Sequence, residues 1–85
     1  MKKPPKMSTG RGRLAWNLLR LRREAGLTQE ELGARCEIHF TFIGAVERGE
    51  RNVTIDNVEK IAKSLRVDMG DLFVDNTPPT ARRKA

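Results

Sequence analysis

The chain is short of several things that common protein classes depend on. With one cysteine, Cys36, and one histidine, His39, in 85 residues, an internal disulfide is impossible and a common Cys/His zinc site cannot be assembled. No apolar run approaches the roughly 20 residues that a membrane span requires. The start, Met1-Lys2-Lys3-Pro4-Pro5-Lys6, has no hydrophobic stretch behind its charges. A cytoplasmic location without membrane association is therefore expected. One histidine and one non-activated thiol offer no nucleophile and base pair, so neither enzymatic activity nor a metal or cofactor is expected. The length suits one small domain rather than two.

What is present in excess is positive charge, a net +6, but its placement matters more than its sum. Up to residue 13 the chain holds Lys2, Lys3, Lys6, Arg11 and Arg13 with no acid, and after residue 75 it adds Arg82, Arg83 and Lys84. The segment 14–75 is left with a net charge of −2. Both ends mix Lys or Arg with Pro, Ser, Thr and Gly, which points to disordered basic tails at 1–12 and 76–85 around a folded domain at 13–75. A basic composition alone would be a weak argument for nucleic acid, because short charge runs are usually solvated tails. The informative residues are those of the middle segment.

There the apolar residues follow helical spacing and no stretch alternates strictly, so an all-α domain of five helices is predicted. Leu14, Leu18, Leu21 and Ala25 give helix 1 one face, from about Arg13 to Ala25, and Gly26 ends it. Leu27-Thr28-Gln29-Glu30-Glu31-Leu32 is a helix start, with Thr28 as N-cap, Glu31 closing a capping box, and Leu27 and Leu32 in staple positions. Helix 2 then runs from Gln29 to Cys36. Its Gly33 costs about 1 kcal/mol against alanine, so close approach of a neighbouring helix is the expected reason for it. Cys36 reads as a small core residue. Helix 3 starts near His39 and ends at Arg48, where Gly49 supplies a left-handed cap. Thr54 caps helix 4, with Ile55, Val58, Ile61, Ala62 and Leu65 as its core stripe. Asp68 caps a last short turn through Leu72 and Phe73.

Helices 2 and 3 follow each other so closely that they must turn sharply, which is helix-turn-helix geometry. In that arrangement the second helix presents its outer face to the major groove of duplex DNA. On a helical wheel Ile43, Val46 and Glu47 point one way, and Thr41, Gly44, Ala45 and Arg48 the other. The second face is slim enough to approach base edges. At the start of helix 2, backbone N–H groups and the Gln29 amide lie where a phosphate would. Glu47 faces the core and so needs a partner. Phe42 reads as a core cap, whereas Phe40 could equally pack or face a base. His39 reads as a helix-start residue with a solvent or phosphate contact. Trp16 and Leu19 lie off the core stripe. Met69, Leu72, Phe73 and Val74 either complete the core or leave an apolar patch that a second subunit covers, and the patch is the favoured reading.

These features together resemble the Cro and phage-repressor type of helix-turn-helix protein, the Xre family. The resemblance covers Leu14 to Phe73. It rests on Leu27-Thr28-Gln29-Glu30-Glu31-Leu32, on Ile43 with Glu47-Arg48-Gly49, on Ile61-Ala62-Lys63-Ser64-Leu65-Arg66-Val67 and on Asp71-Leu72-Phe73. Within the family, Arg48-Gly49-Glu50-Arg51-Asn52-Val53-Thr54 is most similar to the controller proteins of restriction-modification systems. The resemblance implies a repressor-like five-helix domain and a homodimer that regulates transcription from a pseudo-palindromic operator. It places base-reading positions at His39, Phe40, Thr41, Gly44 and Ala45, and phosphate positions at Gln29, Arg48, Arg51 and Asn52. It also sets Arg22 opposite Glu47 as an ion-pair partner. Many controllers carry arginine where this chain has Phe40, and phenylalanine cannot make a bidentate contact to guanine. No small-molecule effector is expected, since no separate domain could bind one. The residues also leave an alternative open: an antitoxin or other interaction module that binds and inhibits a partner protein through Trp16, Leu19 or the tails.

Overall fold

A computed structural model describes residue 6 and residues 8–75. Of the tails assigned to 1–12 and 76–85, residues 1–5, 7 and 76–85 lie outside the described residues. Four α-helices follow in order: α1 (Gly10–Glu24), α2 (Gln29–Cys36), α3 (Phe40–Glu47) and α4 (Ile55–Leu65). The expected fifth helix is a single 3-10 turn, Met69–Leu72. Among the described residues there is no strand.

Local chemistry accounts for most of the boundaries. Thr28 and Glu31 form the full capping box: Glu31 N–H donates to Thr28 Oγ1 at 3.0 Å and Thr28 N–H donates to Glu31 Oε1 at 2.9 Å. Thr54 and Asp68 cap as expected. The start of α1 is a correction. Thr9 caps it by accepting from Gly12 N–H at 2.9 Å, so the helix begins at Gly10 rather than near Arg13. Gly10 and Gly12 disfavour a helix interior, but in the first turn a good cap offsets them. Arg11 therefore belongs to the folded domain and not to the tail.

The core gathers Leu14, Leu18, Leu32, Ile43, Val46, Val58, Ile61, Leu65 and Leu72 between the helices, with Cys36 buried among them. Burial pushes the Cys36 thiol above its ordinary pKa. Two expected stripe residues fall outside this core. Ala25 is the exposed cap residue of α1, and Ile55 is 67% exposed. The stripe of α4 that packs on α2 and the 3-10 turn begins one turn later, at Val58.

Gly33 has the reason its position suggested. A Cβ there would stand 2.4 Å from the Ile38 carbonyl oxygen and 3.2 Å from Phe40 N, so the turn into α3 runs directly over it. That turn opens at Glu37, which adopts the left-handed conformation with φ 57°. His39 then caps α3.

The carboxyl end is held down by a residue that helical periodicity did not single out. Asn17 is fully buried, and its Nδ2 donates to Arg13 O at 2.8 Å and Val74 O at 2.9 Å, with Leu72 O at 3.3 Å. Arg13 adds a donation to Phe73 O at 3.4 Å and an ion pair with Asp75. This docking corrects the apolar patch. Leu72 is fully buried in the protomer's own core, Met69 and Phe73 pack half-buried against it, and Val74 alone of the four is exposed.

Candidate nucleic-acid interface

The second helix of the pair, α3, stands on a buried polar cluster. Arg22 of α1 grips Glu47 with both ends of its fork, Nε donating to Oε2 at 2.6 Å and Nη2 to Oε1 at 3.0 Å. Its remaining Nη1 donates to Leu27 O at 2.8 Å, in the loop before α2. The hydrogen bond to Glu47 raises the Arg22 pKa further above its ordinary value. Three segments are thus fixed by one arginine, and the expected Arg22–Glu47 pair is present.

Gln29 joins this cluster, donating from Nε2 to Glu47 Oε1 at 2.9 Å. One of its two N–H groups is thereby committed to the protein. The other is what it has left for a phosphate. Gly44 lies beneath it: a Cβ there would meet Gln29 Oε1 at 3.2 Å and Arg48 Nη1 at 3.3 Å. Gly44 and Ala45 share a face with Thr41 and Arg48, as the helical wheel placed them, but both are buried there rather than open. Gly44 forms the floor under Gln29 and Arg48. Ala45 lines a hollow with Thr41, Phe42, Arg48, Glu50 and Arg51.

The face that α3 leaves open is its amino end. His39, Phe40 and Thr41 are exposed there, Phe40 by 40%. Their geometry is ordered rather than loose. The His39 and Phe40 rings stack with centroids 4.8 Å apart and planes 23° from parallel, and His39 Nδ1 accepts from Thr41 N–H at 3.2 Å. Phe42 packs half-buried against the core.

Positive groups flank this face. Arg48 Nε donates to Glu50 at 3.1 Å, which leaves its two terminal nitrogens. Arg51 is exposed. Asn52 Oδ1 accepts from Arg11 of α1, and Arg11, Arg51 and Asn52 line one hollow. Arg11 was missed as a site residue, because a basic residue between two glycines reads as tail. The amino end of α2 is less open to an anion than its N–H groups alone suggest. The capping box uses one of them, and Glu30 and Glu31 place acid in the first turn. Trp16, 40% exposed on α1, and half-buried Leu19 lie outside the site.

A short helix packed across a second, joined by a tight turn over a glycine, with an open amino end and basic flanks, defines the helix-turn-helix class. A model of the helix-turn-helix family matches residues 18–72. The chain belongs to this family of DNA-binding transcriptional regulators. It is 47% identical over 50 residues to control protein C.BamHI of Bacillus amyloliquefaciens, a match that spans 59% of this chain and 62% of that protein. The crystal structure of the hypothetical transcription factor NHTF from Neisseria superposes with a TM-score of 0.80 at 33% identity, over 89% of this chain and 87% of that one. The restriction-modification controller protein C.Esp1396I superposes with a TM-score of 0.70, at 33% identity over 78% and 86% of the two chains. Its nucleoprotein complex does so at 0.69 with the same identity and coverage.

Proposed function

We propose that the protein is a sequence-specific binder of duplex DNA that regulates transcription as a homodimer on a pseudo-palindromic operator, in the manner of a restriction-modification controller. The observation that carries this is the exposed His39-Phe40-Thr41 end of α3, held rigid by the Arg22–Glu47 clamp and flanked by Arg11, Arg48, Arg51 and Asn52. Such an end enters a major groove while the flanking groups meet phosphates. Thr41 and Phe40 contact base edges, with His39 beside them. Gly44 and Ala45 act by being small, letting Gln29, Arg48 and the helix backbone come close. That C.Esp1396I, which superposes over most of this chain, forms a nucleoprotein complex supports nucleic-acid binding.

Two copies would associate through the face that carries Met69, Phe73 and Val74, since twofold symmetry then spaces two recognition helices about 34 Å apart. Selection of bound sequences from random duplex DNA tests the reading. Enrichment of a two-part site with inverted halves is expected, and recovery of no preferred sequence would overturn it. Sedimentation of a monomer at micromolar concentration, both free and on the selected site, would overturn the homodimer.

A further inference from the structure

The cap of α3 is a titratable ring in direct contact with the residue behind the proposed base contact. His39 Nδ1 accepts from Thr41 N–H at 3.2 Å and lies 2.7 Å from Thr41 Oγ1. A backbone N–H can only donate, so Nδ1 bears no proton, and the neutral ring keeps its proton on Nε2. The hydroxyl 2.7 Å away then turns its own hydrogen towards Nδ1 and shares that nitrogen's one lone pair with the backbone N–H. With that hydrogen committed inward, Thr41 Oγ1 presents only lone pairs outward.

Protonation reverses the pair. An imidazolium has no lone pair at Nδ1, so it releases the Thr41 backbone N–H and donates its new proton to Oγ1. The hydroxyl hydrogen is then free to swing outward as a donor. We infer that His39 sets the direction in which Thr41 hydrogen-bonds to a base. When His39 is neutral, Thr41 accepts from the exocyclic amine of adenine or cytosine. When His39 is charged, Thr41 donates to O6 or N7 of guanine or O4 of thymine. This rests on the reading of α3 as the recognition helix.

The ring caps the amino end of α3 and stacks on the Phe40 ring. Glu37 stands in the turn, Arg35 near the end of α2, and Glu30 of α2 with Arg22 of α1 around the hollow beside Phe40. On α3 itself the charged residue is Glu47, and it is engaged by Arg22. Among the described residues the His39 ring makes no ion pair with any of these. The chain has one histidine, and imidazole is the side-chain group whose charge a change between pH 8 and pH 5.5 addresses.

Two measurements test this. Nitrogen-15 NMR of the free protein at pH 8 should show the ring proton on Nε2; a proton on Nδ1 would overturn the inference. Selection from random duplex DNA at pH 8 and pH 5.5 should shift the preference by about fivefold, from adenine or cytosine to guanine or thymine, at one position in each half-site. His39→Asn, which keeps a non-titrating cap, and Thr41→Val, which keeps the shape without the hydroxyl, should each abolish the pH shift. An unchanged wild-type profile, or a shift that survives either substitution, would overturn it. If no sequence were selected at any pH, the DNA-binding reading would fall, and the ring-proton measurement would still decide the direction of the hydrogen bond.

Discussion

Replacing Glu47 with alanine removes three charge-assisted acceptor contacts at once and strands what donated to them. The Arg22 and Glu47 side chains are 10% and 5% exposed, so water cannot replace the lost partner in full. Breaking such a buried pair by deleting one member costs about 3–5 kcal/mol, mostly from the uncompensated charge left behind. Arg22 keeps its bond to Leu27 O, and half-buried Gln29 can turn to solvent, which places Glu47→Ala near the lower end, about 3 kcal/mol. That is a large share of the roughly 4–13 kcal/mol that holds a domain of this size together. Urea unfolding followed by circular dichroism reads the loss directly. Glu47→Gln keeps one acceptor oxygen but sets an amide NH2 against a donor of Arg22 or Gln29, so it should still lose about 2 kcal/mol or more. Arg22→Met combined with Glu47→Leu should lose at least ~2 kcal/mol less than the sum of the two single changes, because no charge is left without a partner. A loss below about 0.5 kcal/mol for Glu47→Ala, or strict additivity in the pair, would refute the reasoning.

Gly33→Ala places a methyl group 2.4 Å from the Ile38 carbonyl oxygen, so it should destabilise by about 1–3 kcal/mol despite alanine's better helix propensity; an unchanged urea midpoint would show that the turn can give way. Arg66 ends α4 with φ 59°, and Arg66→Gly should stabilise by about 1 kcal/mol by relieving the left-handed strain, a gain that the same unfolding assay would detect or deny. Hydrogen bonding from the Thr28 backbone holds the Glu31 carboxyl below its ordinary pKa. Its contribution is therefore present above the usual carboxylate range and lost as pH falls through it and below. Glu31→Gln should flatten the acid limb of the stability profile below about pH 5, and an unaltered limb would contradict the capping box.

Much of the frame could be read from the chain because it depends on short-range chemistry. Thr28 and Glu31 lie three residues apart and form their box without help from the rest of the fold. The wheel that turned Glu47 inward was enough to demand a partner, and the resemblance placed that partner at Arg22. The features that were missed depend on contacts between residues far apart in the chain. Asn17 acts on carbonyls more than fifty residues away, and a lone asparagine has no spacing that announces such a role. Its grip draws Leu72 into the core, which is why a run of apolar residues at the carboxyl end looked more exposed than it is. Gly44 looked open on a wheel that knows nothing of Gln29 and Arg48 folding across it. Arg11 was read as tail because flanking glycines signal a break, and only the cap at Thr9 and the bond to Asn52 bring it to the site.

The proposed division of labour on α3 can be tested by one comparison, the selected-site profiles and salt dependence of Thr41→Ala and Arg51→Ala beside the wild type. Thr41 is expected to meet base edges, so its loss should change preference at one or two operator positions by about 1 kcal/mol and leave the salt slope alone. Arg51 is expected to meet a phosphate, so its loss should weaken every sequence evenly and lower the salt slope by about one. If both variants instead shifted the profile in the same way, or if Thr41→Ala only lowered the salt slope, α3 would not be the helix that reads the sequence.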